Sequence, residues 1–458
     1  MTLREDTATE LIVEWSSGLG ASDIPAEVRD AASYHILDAI GTALAARRYK
    51  MASAVLAVAQ QFELPREATV IGGSSLISSP FAALSNGALI HSLDYDDTHA
   101  DALVHPSAVV FPTALAVGES CVSDGASLMT AYVAGVEVMV RLGTVVRNGF
   151  HSKGFHATSI CGVFAAALVA SRLAGLNPAE TVSALGLAGS QAAGSLEFLA
   201  TGADTKILHP GLAAMQGILC ARLAGAGAVG PSSILEGRYG LYASYLGVDV
   251  SVAALVDGLG TTWELPAVAV KLYPACQLSH ASLDALRAVL GEIGAATSVE
   301  KITFEVPSDA VPIVCEPAAA KRSPRSSYEA KFSLAWCAAL LLCDRVLGID
   351  SFDADQLNRQ DVADVAARID YKVRKTSLAA AASPGVVEVV LKDGRHVTYE
   401  HDLSSARSKH GLDTSAVLAK FQSNVGDAAI ASRLEDSVAG LWSAPNLIDI
   451  SHQLTSTN

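Results

Sequence analysis

The strongest constraint on the fold is a change of sequence pattern near Leu265-Pro266. Before this point, apolar residues recur at helical spacing in one segment after another, separated by short turns that contain glycine. One short apolar strand is predicted there, over 68–72. The predicted helices are 7–18, 25–46, 51–62, one that begins near 80, 108–119, 125–146, 157–173, 178–199, 211–225 and 233–246. This part of the chain therefore predicts a multihelical domain.

After Leu265-Pro266, strands alternate with helices. The predicted strands are 268–273, 299–306, 371–375, 386–392 and 396–400, and the predicted helices are 282–293, 327–347, 414–422 and 427–441. Asp393-Gly394 joins the last two strands and is typical of a hairpin turn. We therefore predict a mainly α fold with a second α+β domain. Residues 1–266 and 401–458 would form the helical domain, with residues 267–400 inserted as an α+β lid.

Composition limits the classes of partner and compartment. The chain has 458 residues, half of them hydrophobic, which is enough for two substantial cores. A net charge of −15 argues against nucleic acid, and the apolar runs are interrupted before a clean membrane span develops. The N-terminal residues, Met-Thr-Leu-Arg-Glu-Asp, include no apolar signal core. Seven cysteines without a CxxC pair fit reduced thiols, so we predict a cytoplasmic protein.

The stretch from His91 to Ala108 concentrates acids and histidines between two apolar segments. If the helix that begins near 80 continues to Asp101, four polar side chains share one of its faces. These are Asp94, Asp97, Thr98 and Asp101. His105 precedes Pro106, which disfavours helical backbone, so a turn would aim its side chain while Ser107 caps the next helix. The alternative is a polar helix end that continues into a surface loop.

Two further motifs place basic groups at helix starts. His156 lies directly before a predicted helix, with Lys153 nearby and Thr158 as a candidate cap. The helix dipole disfavours its protonated form, which suits a neutral acceptor or base. Lys206 and His209 precede another helix and would form an anion cradle. The alternatives are a packing histidine, a solvated lysine and a turn histidine.

Lys271 is predicted to end an apolar strand, with Tyr273 on the same strand face and Cys276 in the loop that follows. Partial desolvation there would lower the lysine pKa towards a range useful for proton transfer. The alternative is an edge-strand lysine whose ammonium group reaches solvent.

These motifs resemble the MmgE/PrpD family, whose members include 2-methylcitrate dehydratases, cis-aconitate decarboxylases and iminodisuccinate epimerase. The resemblance lies in Leu93-Asp-Tyr-Asp-Asp-Thr98, His105-Pro-Ser107, a Gly-aromatic-His pattern at His156, Lys-x-x-His-x-Gly from Lys206, and Lys-x-Tyr-Pro from Lys271. It implies a helical domain with an inserted lid, usually as a homodimer. It also implies that His156, Lys206 and Lys271 belong to the active site.

The sequence departs from two branches of this family. The decarboxylase branch has a histidine where this chain has Cys276, and a tyrosine that aligns with Trp336. The dehydratase branch continues its lysine motif differently from Cys276-Gln-Leu-Ser-His280. Epimerisation of an iminodisuccinate-type substrate is therefore the preferred prediction. The alternative is a lyase, with a 2-methylcitrate-type dehydratase ranked ahead of a cis-aconitate-type decarboxylase.

All these reactions move a proton at a carbon beside a carboxylate of a small di- or tricarboxylic acid. We predict that Lys271 and either His105 or His156 are the opposed acid and base, without a metal or other cofactor. Asp94 would orient a histidine, and Thr98 and Tyr273 would donate hydrogen bonds. Lys206 and His209 would hold a substrate carboxylate, and Cys276 would also contact the substrate. Two other classes stay open: a non-catalytic polycarboxylate-binding protein, and a structural helical protein in which these residues are scattered.

Overall fold

The computed structural model describes residues 6–378, 380–401 and 412–455. The prediction that the N-terminus is not a signal sequence rests mainly on residues 1–5, which lie outside the described residues. The fold is mainly α with small sheets, and the predicted fold class is confirmed. The helices of the N-terminal part are α1 Ala8–Gly18, α2 Ala26–Arg48, α3 Ser53–Ala59, α4 Ser79–His91, α5 Ser107–Ser120, α6 Gly125–Thr144, α7 Gly149–Ser152, α8 Ala157–Leu173, α9 Pro178–Ala188, α10 Phe198–Thr201, α11 His209–Gly225, α12 Leu241–Leu246 and α13 Val252–Val256.

The later helices are α14 His280–Ile293, α15 Val311–Val314, α16 Ala318–Arg322, α17 Ser327–Lys331, α18 Leu334–Asp344, α19 Gln360–Ala366, α20 Thr414–Val425, α21 Ala428–Ala439 and α22 Ile448–Thr455. The strands are β1 Ala68–Thr69, β2 Leu76–Ile77, β3 Thr98–His99, β4 Val268–Ala269, β5 Val299–Pro307, β6 Ile369–Arg374, β7 Gly385–Leu391 and β8 His396–His401.

Helix α8 lies at the centre of the helical domain. It packs against α5, α6, α9 and α11, and its residues from Ala157 to Ser171 are buried. Alanine and glycine let these helices approach closely, which explains why the core helices are rich in small residues. Two segments, 125–144 and 205–225, are long and apolar enough to span a membrane by length and composition. In the first, 89% of the most apolar window is buried in the protein, as expected for a core helix.

The second core is built on a four-stranded sheet of order β6-β5-β7-β8. β5 runs parallel to β6 and antiparallel to β7, and β7 and β8 form an antiparallel hairpin. Gly394 occupies a left-handed conformation in the connecting turn, which confirms the predicted hairpin. Alternate residues of β7 are buried, and α14 packs on this sheet.

Two hydrophobic cores divide the described chain. The first gathers buried residues from Ala8 to Val268 and again from Phe421 to Leu454. The second gathers Tyr273 to Val397, together with Phe198. The pairing of β3 with β4 joins the helical domain to the start of the second domain. We retain the division at 266/267 and 400/401 as a proposal, because the second boundary adjoins residues outside the described part.

Several predicted elements differ from the structure, among them the strand predicted over 68–72, which is limited to Ala68–Thr69. The predicted helix 327–347 is two helices, α17 and α18, because the Ser333 side chain caps α18. Only Leu241–Leu246 of the predicted helix 233–246 is α-helical, and the predicted helix 178–199 ends at Ala188. The predicted strand 268–273 is limited to β4, because its partner β3 is only two residues long.

Helices α4 and α11 touch at a pair of glycines, and this contact places the ends of both helices at the candidate site. A Cβ atom on Gly211 would lie 2.2 Å from the Leu84 carbonyl oxygen, and one on Gly87 would lie 2.6 Å from the Gly211 Cα. We expect Gly211→Ala to lower the free energy of unfolding by about 1–3 kcal/mol, because the helices must separate. Denaturant titration measures this change.

Gly291 in α14 provides the matched control, since a Cβ there would meet nothing within 4 Å. We expect Gly291→Ala to stabilise the protein by about 0.5–1 kcal/mol through helix propensity alone. Equal effects of the two alanine variants would show that the contact between α4 and α11 is not tight.

Candidate functional site

The site is built on an irregular loop that follows α4. The helix ends at His91, and Asp94 adopts a left-handed backbone conformation with φ of 52°. The predicted continuation of the helix to Asp101 is therefore wrong, and the four polar residues do not share one helical face. Asp97 accepts hydrogen bonds from Ser107, whereas Asp101 pairs with Arg147 at the surface.

Asp94 lies between two lysines from distant parts of the chain. Lys206 Nζ and Lys271 Nζ each lie 2.8 Å from the same oxygen, Asp94 Oδ1. Burial works to raise the pKa of Asp94, but the two ammonium charges outweigh burial and hold this pKa well below its usual value. Asp94 therefore pairs with lysines, and the prediction that it orients a histidine is wrong.

Lys271 is fully buried in a turn after β4. Burial works to lower its pKa, but the charges of Asp94 and Asp96 outweigh burial and raise it. The predicted lowering of the Lys271 pKa is therefore wrong. The group is an ammonium ion at neutral pH, which suits a proton donor and an electrostatic anchor for an anion.

His105 has a defined tautomer. Its Nδ1 lies 3.0 Å from the Asp97 carbonyl oxygen and 2.9 Å from Thr98 Oγ1. A carbonyl oxygen only accepts hydrogen bonds, so we assign the proton to Nδ1 and leave Nε2 with a free lone pair. Burial, reinforced by Lys271 and Lys206, holds the pKa of His105 well below its usual value. The ring is therefore a neutral acceptor at neutral pH.

Thr98 supports this orientation from β3. Thr98→Val keeps the shape of the side chain and removes the oxygen beside His105 Nδ1. We expect the variant to lose about 1 kcal/mol of stability and roughly tenfold in kcat, because the Asp97 carbonyl still holds the ring. Thermal denaturation and steady-state kinetics check the two values. A kcat equal to that of the wild type would show that Thr98 does not orient His105.

His91 and His156 contact His105, and His209 contacts His156. Asp96 Oδ2 lies 2.7 Å from Nδ1 of His91, and Nδ1 of His156 lies 3.1 Å from Nδ1 of His209. Burial lowers the pKa of His91 and of His156, and lowers that of His209 to about 4. The His91 and His156 Nε2 atoms are buried without a hydrogen-bond partner among the described residues. At neutral pH these rings are uncharged.

Two predicted caps are absent at these helix starts. His156 is the N-cap of α8, as its position before the helix predicted, but no side chain caps this helix. Thr158 lies inside α8 and accepts a hydrogen bond from the His105 backbone N–H. Ser107 is the first residue of α5, and its hydroxyl contacts Asp97 and Tyr132 instead of capping the helix.

These groups line one cleft where the two cores meet. Seven of the nine predicted site residues line it, namely Asp94, Thr98, His105, His156, Lys206, Lys271 and Cys276. The structural alternative, in which these residues are scattered, is wrong. With Asp94 ionised and both of its lysines charged, this group of three side chains carries one net positive charge, which favours an anionic ligand.

Two predicted residues do not line the cleft. The Tyr273 hydroxyl donates a hydrogen bond to Asp284, 2.7 Å away. It lies in the second core because β4 ends before Lys271 and does not carry Tyr273 on the expected face. His209 lies behind His156, where its ring contacts the imidazole and not the cleft.

The structure adds residues that the sequence predictions left out. His151 and Gln277 line the cleft, and burial lowers the pKa of His151 to about 4. His91 contacts the same cluster. His91 could have been predicted from the sequence, because it stands five residues before Asp96 in the acidic stretch. For His151, the sequence gives only its position five residues before His156. The neighbouring Lys153 is exposed.

A metal ion is one species that this histidine cluster could hold. One nitrogen atom from each of His91, His105 and His156 lies within 4.8 Å of the others. Lys206 and Lys271 would repel a divalent cation in the same cleft. The expectation of a site without metal or cofactor stays a prediction.

Comparison with known proteins gives consistent matches along the chain. The family models described as MmgE/PrpD N-terminal domain and MmgE/PrpD C-terminal domain match residues 10–252 and 273–439. A cis-aconitate decarboxylase from Aspergillus terreus is 28% identical over 475 aligned positions, which cover 98% of this chain and 96% of that protein.

Two mammalian proteins are also similar. Human cis-aconitate decarboxylase is 29% identical, covering 75% of this chain and 72% of its own length. The mouse protein of the same name is 27% identical, covering 91% of this chain and 86% of its own length. The two family models together span most of the sequence, so the chain belongs to the MmgE/PrpD family.

Proposed function

We propose that this chain is a cofactor-independent lyase that acts on a small tricarboxylate, with decarboxylation of a cis-aconitate-type substrate as the first candidate. The observation that carries the proposal is the arrangement of Lys206 and Lys271 on Asp94, in the same cleft as the neutral ring of His105. The decarboxylase names of the relatives support the choice of reaction. The comparisons do not support the preference for an epimerase.

The reaction needs a place for negative charge and a source of one proton. When the bond to the departing carboxylate breaks, its electron pair forms a new carbon–carbon double bond. The original double-bond pair moves to the carbon beside a second carboxylate, and a proton is added there as carbon dioxide leaves. Lys206 and Lys271 would stabilise the developing charge, and the Lys271 ammonium group would supply the proton.

The two departures from the decarboxylase pattern, Trp336 and Cys276, differ in how directly they affect the cleft. Trp336 is buried in the second core and does not line the cleft, so this change leaves the cleft wall intact. Cys276 does line it, and burial raises the pKa of its thiol. A neutral thiol replaces a potential cation at this position, which would change how one substrate carboxylate is held.

Epimerisation is the second candidate, and a specific observation favours it. A charged donor, Lys271, and a neutral acceptor, His105, both line the cleft. Decarboxylation needs only the donor, whereas epimerisation needs an acceptor on one side of the carbon and a donor on the other. A dehydratase would use the same two groups.

Proton NMR in deuterated water with three substrates tests the proposal. We expect cis-aconitate to release carbon dioxide and to give a product that carries one new deuterium on carbon. Water loss from 2-methylcitrate alone would keep the lyase class and change the substrate. Deuterium in recovered iminodisuccinate, with loss of optical purity, would favour the second candidate over the first. No turnover or exchange with any of the three would overturn both. The homodimer and the cytoplasmic location stay predictions.

A further inference from the structure

Three consecutive backbone carbonyls of the site loop each accept a hydrogen bond from a different buried lysine. Lys331 donates to the carbonyl of residue 93 over 2.6 Å, Lys271 to that of residue 94 over 3.0 Å, and Lys420 to that of residue 95 over 2.6 Å. The three lysines come from α17, the turn after β4, and α20. Three distant parts of the chain therefore meet at one short backbone segment.

This segment needs external partners. Since α4 ends at His91, the carbonyls at 93–95 have left the hydrogen-bond pattern of the helix. Asp94, in the middle, has a left-handed backbone that side chains other than glycine rarely adopt. The three lysines supply partners for the carbonyls of this conformation, and the Asp94 carboxylate lies 2.8 Å from Lys206 Nζ.

Neither Lys331 nor Lys420 lines the cleft. Lys420 forms an ion pair of 2.6 Å with Asp38 and lies 3.9 Å above the Tyr95 ring centre. Lys331 lies 5.1 Å from the Phe352 ring centre, and its own carbonyl accepts a hydrogen bond from the Cys276 backbone N–H. Through Lys331, the second domain holds both the Asp94 loop and the loop that carries Cys276.

We propose that Lys331 and Lys420 are positioning residues that fix the backbone at 93–95 and thereby aim Asp94 at the two lysines of the cleft. The proposal rests on the proposed function, because the arrangement of Asp94 with Lys206 and Lys271 is the part of the site that it would serve. Lys271 acts both on this backbone and in the cleft, whereas Lys331 and Lys420 contact the loop from outside the cleft.

The charge on Lys331 gives the proposal a pH signature. Burial lowers the pKa of Lys331 to about 8, opposed by Asp94 and reinforced by Lys271 and Lys206. Cys337 also faces it, but burial raises that thiol's pKa above the range concerned. The Lys331 charge is therefore lost as the pH rises through about 8, and the contact with the loop weakens.

Titration of Lys331 does not cause a loss of function through unfolding. The unfolded chain keeps a proton on Lys331 up to its usual value of 10.5, whereas the native state releases it near 8. The unfolded state thus binds more protons between these values, so this group makes the fold more stable as the pH rises. As the pH rises above about 8, we therefore expect ligand affinity and kcat to fall while the contribution of Lys331 to the free energy of unfolding increases.

The experiment compares Lys331→Met, Lys331→Arg, Lys420→Met and Lys321→Met in the full-length protein. Lys321 is the matched control, because it also donates to two backbone carbonyls of the second domain but not to the loop. One readout is kcat and KM. The other, independent of turnover, is calorimetric affinity for tricarballylate, a saturated tricarboxylate that cannot undergo the proposed reaction, between pH 6.5 and 9.

We expect Lys331→Met and Lys420→Met to lower kcat by about 10²-fold, and tricarballylate affinity by about tenfold, because the loop shifts. Lys331→Arg should keep function and lose the decline near pH 8, because the guanidinium stays charged. Lys321→Met should lower stability but keep both readouts.

Effects of the two loop variants no larger than that of Lys321→Met would overturn the proposal. A decline near pH 8 that persists in Lys331→Arg would also overturn it, and this test stands even where Lys331→Met fails to fold. If the wild type turns over none of the substrates, the proposed function fails, while the affinity series still decides whether the lysines position the loop.

Discussion

Replacing Lys271 by methionine is expected to lower kcat by about 10³-fold while the protein stays folded. The change removes the ammonium group that would donate the proton and stabilise the developing charge. Asp94 keeps its second partner, Lys206, at 2.8 Å, so the buried carboxylate is not left alone. Steady-state kinetics on the substrate that the deuterium experiment identifies measures the loss.

Lys153→Met is the control for this variant. Lys153 is near His156 in sequence, but its side chain is exposed. We expect it to retain wild-type kcat. A Lys271→Met variant that keeps more than about a tenth of wild-type kcat, with a normal thermal transition, would exclude Lys271 as the proton donor.

Asp94→Asn is expected to lower the free energy of unfolding by about 3–5 kcal/mol, because Lys206 and Lys271 would then face each other without the carboxylate between them. Asp94 has a lowered pKa in the native state, so its stabilising effect is fully present above its unfolded pKa. This effect is lost as the pH falls below about 3.9. Chemical denaturation at several pH values measures the difference between wild type and variant.

A double-mutant cycle separates charge balance from packing. In Asp94→Asn the burial of Lys271 remains while the larger of the two charges that raised its pKa is gone and only Asp96 is left, so the ammonium group becomes more costly. Adding Lys271→Met should therefore restore part of the lost stability. Additive losses in the double variant would show that the two charges do not interact, in conflict with their 2.8 Å separation.

The helices could be predicted from the sequence because the spacing of apolar residues that indicates a helix lies within the helical segment itself. The α8 and α14 segments carry their apolar residues at helical spacing, and the Asp393-Gly394 turn carries its own conformational preference. The end of α4 could not be predicted in the same way. The backbone around the left-handed turn at Asp94 is contacted by lysines that lie 177, 238 and 325 residues away, and a local pattern does not record such partners.

The same limit explains the errors in the site. The apolar residues around Lys271 in the sequence indicated that it is buried, and burial lowers a lysine pKa. The sequence did not show that Asp94 lies beside Lys271 and raises this pKa, so the predicted direction of the shift was wrong. Lys331 lies in a short helix before a long apolar run, and nothing nearby in sequence shows that it reaches the site loop. Of the seven predicted residues that line the cleft, six stand in a family motif, whereas lining residues such as Phe198 and Phe332 carried none.

Nitrogen NMR of the histidine-labelled protein tests the central claim most directly: that the cleft pairs a charged Lys271 with an uncharged His105 bearing its proton on Nδ1. From pH 5.5 to 9 we expect the His105 resonances to keep a protonated Nδ1 and an unprotonated Nε2, with or without tricarballylate. In Asp94→Asn they should show the same tautomer, because the Asp97 carbonyl holds the ring. A His105 ring that titrates near its usual pKa of 6.5, or that carries its proton on Nε2, would contradict the account.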